Sequence, residues 1–323
     1  MILPPVAVII PVYNGEADLP NLVDCLLCQT YPAELVEYLL VDNNSGDRTA
    51  KLIQEAEEKA KFQGITLRYL SEDQIQSSYA ARNKGIQATK AEILAFTDAD
   101  CRPQPDWLMK LIPPFAKPEI GLVVGEILAL PGNTLLEKHA EGQGILSQKN
   151  TLAHSFCPYG QTANLAVRRK AFAEVGLFRP YLTTGGDADM CWRIQKEAFW
   201  QLHFAEDGII RHRHRETIKE LASQWRRYGR SNLYLNQLHG IPLRPKVEKK
   251  YYLFLLTRWL LKELPLNVVK ALLGKTNYIN AIATPINVFC IKARDEGQAQ
   301  ASLPEEAKQI PSYFDRVTGG SNK

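Results

Sequence analysis

Ile93-Leu94-Ala95-Phe96-Thr97-Asp98-Ala99-Asp100 places an unbroken apolar run directly before two aspartates. Following the polar Lys90-Ala91-Glu92, a short run of Ile, Leu and Phe reads as a strand buried on both faces. Strands of that kind belong to open α/β sheets, whose ligands bind beyond the strands' carboxyl ends. Asp98 and Asp100 stand at that end, and in extended backbone their side chains point to the same side. Paired carboxylate oxygens are hard ligands suited to Mg²⁺ or Mn²⁺, which take further ligands from substrate phosphates. An Asp-x-Asp pair can equally cap a turn, here at Cys101-Arg102-Pro103-Gln104-Pro105, so the surrounding sequence has to decide.

Working outward, Val6-Ala7-Val8-Ile9-Ile10 is a second buried run, closed by Pro11 and the turn residues Tyr13-Asn14-Gly15. Leu19, Leu22, Val23, Leu26 and Leu27 then repeat at the spacing of one buried helical face. Tyr38-Leu39-Leu40-Val41 is a third strand, ending in Asp42-Asn43-Asn44-Ser45-Gly46-Asp47, and Leu52, Ile53, Ala56 and Ala60 mark the helix after it. Ile65 to Leu70 and a helix from about Ala80 to Ala88 complete the cycle before the Asp-x-Asp strand. Short alternating strand and helix cycles predict right-handed βαβ units and a Rossmann-like, mainly parallel sheet flanked by helices.

Tyr13-Asn14, Asp42 and Asp98/Asp100 therefore fall at carboxyl ends of successive strands, where one cleft can gather them as a nucleotide site. Neither Gly-x-Gly-x-x-Gly nor Gly-x-x-x-x-Gly-Lys-Ser/Thr appears, so no glycine-rich phosphate cradle is available. A metal ion is then the natural counter-charge for a diphosphate.

Four motifs in order, Ile10-Pro11-Val12-Tyr13-Asn14, Val41-Asp42-Asn43-Asn44-Ser45-Gly46-Asp47, Ala81-Arg82-Asn83-Lys84-Gly85-Ile86 and Phe96-Thr97-Asp98-Ala99-Asp100, resemble the family-2 glycosyltransferases of GT-A fold. Gly185-Gly186-Asp187-Ala188-Asp189-Met190-Cys191-Trp192-Arg193-Ile194 resembles that family's catalytic-base segment, and Gly160 to Arg169 the segment near the donor sugar. The likeness covers roughly the first two-thirds of the chain. It implies that Pro11, Tyr13 and Asp42 contact the nucleoside, Asp42 accepting a hydrogen bond from the base. A uracil N–H suits that role, so a UDP-sugar is the favoured donor. It further implies that Arg82 lies near the base or diphosphate, Asp98 near the ribose or metal, Asp100 on the metal, and Asn164 beside the donor.

The same resemblance makes Asp187 a general base that removes a proton from an acceptor hydroxyl, giving a single displacement with inversion. Met190, Arg193 and Ile194 read as a helix starting nearby, so the alternative is that Asp187 is its N-cap. Asp189 is expected to serve the cap or to pair with Arg193. The family often has Glu immediately before the catalytic Asp; this chain has Gly186. His212 and His214 share one side of Arg211-His212-Arg213-His214-Arg215, and the resemblance offers His212 as a third metal ligand, against a solvated basic strand end.

At 323 residues the chain can hold a catalytic domain over 1–215, a helical extension over 216–293 and a polar, flexible tail over 294–323. Tyr251 to Leu256 and Ala281 to Ile291 are apolar, but Arg258, Lys262, Pro285 and Lys292 interrupt them, and about 20 apolar residues are needed to span a bilayer. Basic residues beside such helices suit an anionic membrane surface; packing on the catalytic domain is the alternative. The six cysteines are scattered except Cys25 and Cys28, which read as small core residues. Met1 to Pro5 leads straight into a strand, so a cytoplasmic enzyme is expected, peripheral at the inner face of the membrane if the extension binds lipid. Partners expected are a nucleoside-diphosphate-sugar and a lipid, glycan or other hydroxyl acceptor. A net charge of +4 and an acidic cleft argue against nucleic acid. A non-catalytic sugar-nucleotide-binding protein and a metal-dependent nucleotidyltransferase are the alternatives from other classes.

Overall fold

A computed structural model describes residues 3–275 and 277–313. The chain divides into two units: Met1–Leu128, Leu146–His212 and Pro304–Lys323 form one, Ala129–Ile145 and Arg213–Leu303 the other.

In the first unit, β1 (Val6–Val12), β2 (Val36–Asp42), β3 (Thr66–Ser71) and β4 (Ile93–Phe96) are joined through α1 (Leu19–Leu27), α2 (Thr49–Phe62) and α3 (Ser78–Gln87). These four strands are parallel, in spatial order β3-β2-β1-β4, with Val12 paired to Asp42 and Ile9 to Phe96. Covered on both faces, β1 and β4 are almost wholly buried, which is why they read as continuous apolar runs. Helix α3 lies close on β1 because Gly85 has no side chain: a Cβ there would meet Ile9 Cγ2 at 2.4 Å.

The rest of the sheet is mixed. After β5 (Cys101–Pro103) and α4 (Trp107–Leu111) come β6 (Ile120–Ala129), β7 (Leu165–Arg168) and β8 (Gln201–His212), giving the full order β3-β2-β1-β4-β7-β6-β8-β5. β7 runs antiparallel to β4, pairing Leu165 with Phe96. Its start therefore lies at the same end of the sheet as the carboxyl end of β4. β5 pairs antiparallel with β8, Cys101 opposite His212. Between β6 and β7 lies α6 (Gln148–Leu152), and α7 (Arg169–Val175) and α8 (Gly186–Lys196) separate β7 from β8.

The second unit carries α5 (Leu135–Gly142), α9 (Ile218–His239), α10 (Lys249–Arg258), a π-helical turn at Trp259–Glu263, α11 (Leu264–Leu272) and α12 (Ala283–Gln300). Its spine is the crossing of α9 and α12. Gly229 and Gly297 sit where the backbones touch: a Cβ on either would lie 2.0 or 2.1 Å from the facing carbonyl of Arg294 or Arg226. Arg226–Glu296 at 3.0 Å and Arg294–Asn232 at 2.9 Å flank that crossing. Among the described residues no helix is long and apolar enough to cross a membrane.

Two features depart from the expected organisation. Ala129–Ile145 is an insertion into the first unit's sequence that packs with the second unit. The segment expected as a flexible tail is helical through Gln300, and beyond Pro304 the chain rejoins the first unit, where Leu177 N–H donates to Pro311 O at 3.0 Å and Ala307 is fully buried. The remainder of that expected tail, 314–323, lies outside the described residues.

Candidate functional site

The loops leaving β1 and β2 are stitched together. Asn14 and Asn44 both adopt left-handed backbone, with φ of 47° and 60°, a conformation asparagine tolerates better than most residues. Asn14 N–H donates to Ser45 Oγ and Gly46 N–H to Asn14 Oδ1, each at 2.9 Å, while Gly15 N–H reaches Thr49 Oγ1 at 2.8 Å. Asp42 is nearly buried and Oδ1 accepts from Ser45 N–H at 3.2 Å. Tyr13 is more than half exposed beside it, and Pro11 pairs with Val41. The expected nucleoside contacts thus lie on one pair of neighbouring strand ends.

Helix α3 supplies the next two groups. The Ser77 hydroxyl caps it by accepting from Tyr79 N–H. Arg82, buried along α3, places Nη2 at 2.6 Å from Asp98 Oδ1, and its guanidinium lies 5.5 Å from the centre of the Tyr79 ring. Asn83 Nδ2 donates to Phe178 O at 2.8 Å and its Oδ1 accepts from Phe178 N–H at 3.0 Å, fixing the chain that leads into α8.

Asp100 takes a different partner from Asp98. The β5–β8 pairing brings His212 Nε2 to 3.2 Å from Asp100 Oδ1. Asp100, Cys101 and His212 offer ligand atoms within 4.8 Å of one another. Burial, reinforced by the charges of Asp100 and Asp98, pushes the Cys101 thiol well up, and its Sγ faces Ala163 O. The usable donors are therefore a carboxylate and an imidazole, a set that fits Mn²⁺ or Mg²⁺ completed by oxygens from outside the protein. Asp98 is turned towards Arg82 through one of its oxygens. His214 is buried in the second unit.

Asp187 lies in the first turn of α8, but it is not the cap: that position falls at Gly185, with φ of +79°. Asp187 Oδ1 accepts from the Thr162 hydroxyl at 2.9 Å, and Thr162 N–H approaches Oδ2 at 3.4 Å. Burial pushes its carboxyl above the ordinary 3.8; Arg82 pulls it back, the Asp98 charge raises it, and the Thr162 bonds lower it. Arg82 and Asp98 thus lie close enough for their charges to act on Asp187. Gly186 N–H donates to the Tyr79 hydroxyl at 3.0 Å, and a Cβ at Gly186 would lie 2.7 Å from the Tyr79 ring. Tyr79 thus occupies the space that a glutamate at that position would need. Asp189 is fully buried between Arg179 at 3.0 Å and Arg193 at 3.2 Å.

Asn164 is where the structure corrects the sequence. Expected beside a donor, it is fully buried: Oδ1 accepts from Trp107 Nε1, and Nδ2 donates to Glu126 O and Gly208 O, all at 2.8 Å. Both amide hydrogens are spent on the scaffold, so Asn164 braces three segments of chain. Its near neighbour Thr162 is the residue that meets the site. Asn83 and Thr162 fall inside quoted motifs without being singled out, and Tyr79 lies just before one; sequence reasoning assigned none of the three a role.

Comparison with known proteins bears on this geometry. The family model "Glycosyl transferase family 2" matches residues 7–176, and "Glycosyl transferase family group 2" matches 93–291. Glycosyltransferase AglE of Haloferax volcanii is 33% identical over 244 residues, which is 75% of this chain and 77% of that protein. Pre-mycofactocin glycosyltransferase of Mycobacterium tuberculosis is 27% identical over 249 residues, 75% of this chain but half the length of that protein. Among solved structures, mannosyltransferase PcManGT from Pyrobaculum calidifontis, in complex with GDP-Man and Mn²⁺, superposes with a TM-score of 0.62 at 16% identity, covering 93% of this chain and 88% of that one. That likeness shows the GT-A fold.

Proposed function

The chain belongs to glycosyl transferase family 2, and from that premise we propose that it moves a sugar from a nucleoside-diphosphate-sugar to an acceptor hydroxyl by single displacement with inversion. Asp187 is the general base in this reading. Arg82, Asp98, Asp42, Tyr13 and Pro11 hold the donor, and Asp100 with His212 holds Mn²⁺ or Mg²⁺. The observation that carries it is the convergence of Arg82, Asp98 and Asp187, from α3, the end of β4 and the start of α8: Arg82 pairs with Asp98 at 2.6 Å, and the charges of both act on the Asp187 carboxyl.

Asp187 takes the acceptor's proton as the oxygen attacks the anomeric carbon. Its raised pKa makes it a stronger base than a solvated carboxylate, closer to what proton transfer near neutral pH requires. Thr162 fixes the orientation of its oxygens. Arg82, held by Asp98, sets a cation near the diphosphate without being free to swing away. A bound divalent cation would supply Lewis-acid neutralisation of charge on the departing diphosphate.

Asp42 presents a carboxylate oxygen beyond its bond to Ser45, an acceptor for a base N–H. Uracil meets this with its ring N–H, so a UDP-sugar is favoured. Guanine also carries N–H groups, and the mannosyltransferase neighbour was obtained with GDP-Man and Mn²⁺, so GDP-sugars are the competing donors. The acceptor is a hydroxyl on a lipid or glycan. The test is nucleotide release from UDP-, GDP- and dTDP-sugars with Mn²⁺, Mg²⁺ or chelator, in wild type and Asp100→Ala. Metal-dependent release from one donor, lost in the variant, is the expected result. Release that ignores chelator and the variant alike would remove the metal from this scheme.

A further inference from the structure

The α10–α11 segment of the second unit is folded with its polar side inward. Tyr252, Trp259, Glu263 and Asn267 recur at helical spacing, and each is hydrogen-bonded within the unit. The Tyr252 hydroxyl donates to Asp295 at 2.7 Å and Trp259 Nε1 to Ala281 O at 2.6 Å. Glu263 accepts from the Thr284 hydroxyl, and Asn267 Nδ2 donates to Asn280 O at 3.2 Å. The outward side is the apolar one: Leu253, Leu261 and Leu272 are 68%, 73% and 83% exposed, with Leu260 and Leu273 more than half exposed beside them. Helix α11, Leu-Pro-Leu-Asn-Val-Val-Lys-Ala-Leu, has no fully buried residue. Ordinary surface helices have the opposite arrangement. An exposed apolar face of this extent marks an interaction site.

Charge selects the partner. Between Lys246 and Lys275 there are seven Lys or Arg residues against two Glu, and both Glu are paired within the segment, Glu263 with Arg258 at 2.8 Å and Glu248 with Lys250 at 2.7 Å, which leaves a basic excess. Two copies of such a face would repel each other. No helix here can span a bilayer, but an apolar face rimmed with Lys and Arg suits one lying in the headgroup layer of an anionic membrane. We propose that α10, the π-helical turn and α11 form a docking surface for an anionic lipid bilayer, Leu253, Leu260, Leu261 and Leu272 entering the acyl boundary while Lys249, Lys250, Lys262 and Lys270 meet lipid phosphates. This goes beyond the donor chemistry, and the surface lies wholly within the second unit.

The experiment is co-sedimentation of the full chain with vesicles of pure phosphatidylcholine and of phosphatidylcholine mixed with phosphatidylglycerol, at low and high salt. Wild type is expected to sediment with the anionic vesicles and to be released in part by salt. Leu260→Asp with Leu261→Asp should lower partitioning about tenfold or more, from the lost apolar insertion. Lys249→Glu with Lys250→Glu should abolish the preference for phosphatidylglycerol. Circular dichroism and vesicle-free nucleotide release check that each variant is folded. Wild type remaining in the supernatant with every vesicle would overturn the proposal. So would a double-Asp variant that binds as wild type does, or sedimentation velocity showing a dimer, with no vesicle binding, that the same leucine changes dissociate. Nucleotide release measured without vesicles reads the donor site separately, so failure of either reading leaves the other standing.

Discussion

The Thr162 hydroxyl donates to Asp187 Oδ1 across 2.9 Å, although the two residues lie 25 positions apart on different elements. Thr162 sits in the turn that opens the antiparallel strand β7 and Asp187 in the first turn of α8. Thr162→Val keeps the side chain's shape and removes the donor. With that bond gone the Asp187 pKa rises further and its orientation loosens. We expect kcat to fall about tenfold, in line with the loss of one hydrogen bond to a charged group, with donor KM little changed. An unchanged kcat would detach Thr162 from the chemistry.

Asp187 itself gives opposite effects on rate and stability. Burial and the Asp98 charge favour its protonated form, so its folded pKa lies above the unfolded value. Activity therefore fades as pH falls through that raised pKa, placing the acid limb of kcat above the 3.8 of an ordinary aspartate. Above the folded pKa the ionised carboxylate is a stability cost, which disappears below the unfolded pKa. Asp187→Asn should lower kcat about 10²- to 10⁴-fold while raising the melting temperature at neutral pH. A thermal scan beside single-turnover kinetics checks both. A fall in melting temperature would contradict the ionisation argument.

The proposed metal site rests on His212, whose pairing opposite Cys101 in β5–β8 brings its Nε2 to 3.2 Å from Asp100 Oδ1. Both Asp100→Ala and His212→Ala should raise the Mn²⁺ concentration for half-maximal activity by about 10- to 100-fold or more, at least what loss of an outer-shell partner costs. Mn²⁺ titration by calorimetry on the apo protein gives an independent readout. Loss in Asp100→Ala alone would leave His212 as a structural partner of the carboxylate.

For Asn164 the expectation is structural. Asn164→Ala leaves Trp107 Nε1, Glu126 O and Gly208 O without their partner, and each orphaned buried group costs about 1–3 kcal/mol. Urea unfolding should show a loss of several kcal/mol by that sum, with donor affinity of the folded fraction retained. Weak donor binding at unchanged stability would return Asn164 to the donor site.

Tyr79 and Gly186 should behave as a coupled pair. Gly186→Ala drives a methyl to within 2.7 Å of the Tyr79 ring, itself stacked on Phe178 with centroids 5.7 Å apart. Such overpacking costs about 1–3 kcal/mol, and in a Tyr79→Leu background most of that cost should vanish. A double-mutant cycle with no coupling would show that the ring moves aside freely.

The strands carrying Tyr13, Asp42 and Asp98 were legible because strands buried on both faces must be apolar throughout, and the polar residues ending them mark where a ligand is met. The ion pair of Asp189 with Arg193 was legible too, since helical spacing fixes which residues meet one turn apart. His212 was legible as a candidate only: its alternation was local, but its partner Asp100 lies across an antiparallel pairing between distant segments. The insertion Ala129–Ile145 and the return of Pro304 to Tyr313 gave no sequence signal, because which unit a short segment joins depends on contacts far along the chain.

The sequence by itself determined the alternating elements, the polar strand ends and the family motifs, all of which follow from local periodicity and short-range backbone chemistry. Tertiary structure alone decided that Thr162 meets Asp187 while Asn164 is spent on the scaffold, that Arg82 claims Asp98 while His212 claims Asp100, and that Tyr79 fills the space above Gly186. Each of those choices depends on which segments lie side by side once the sheet has formed. Side-chain type limits what a residue can bond to, but only packing fixes which of several eligible partners comes within 3 Å or so of it.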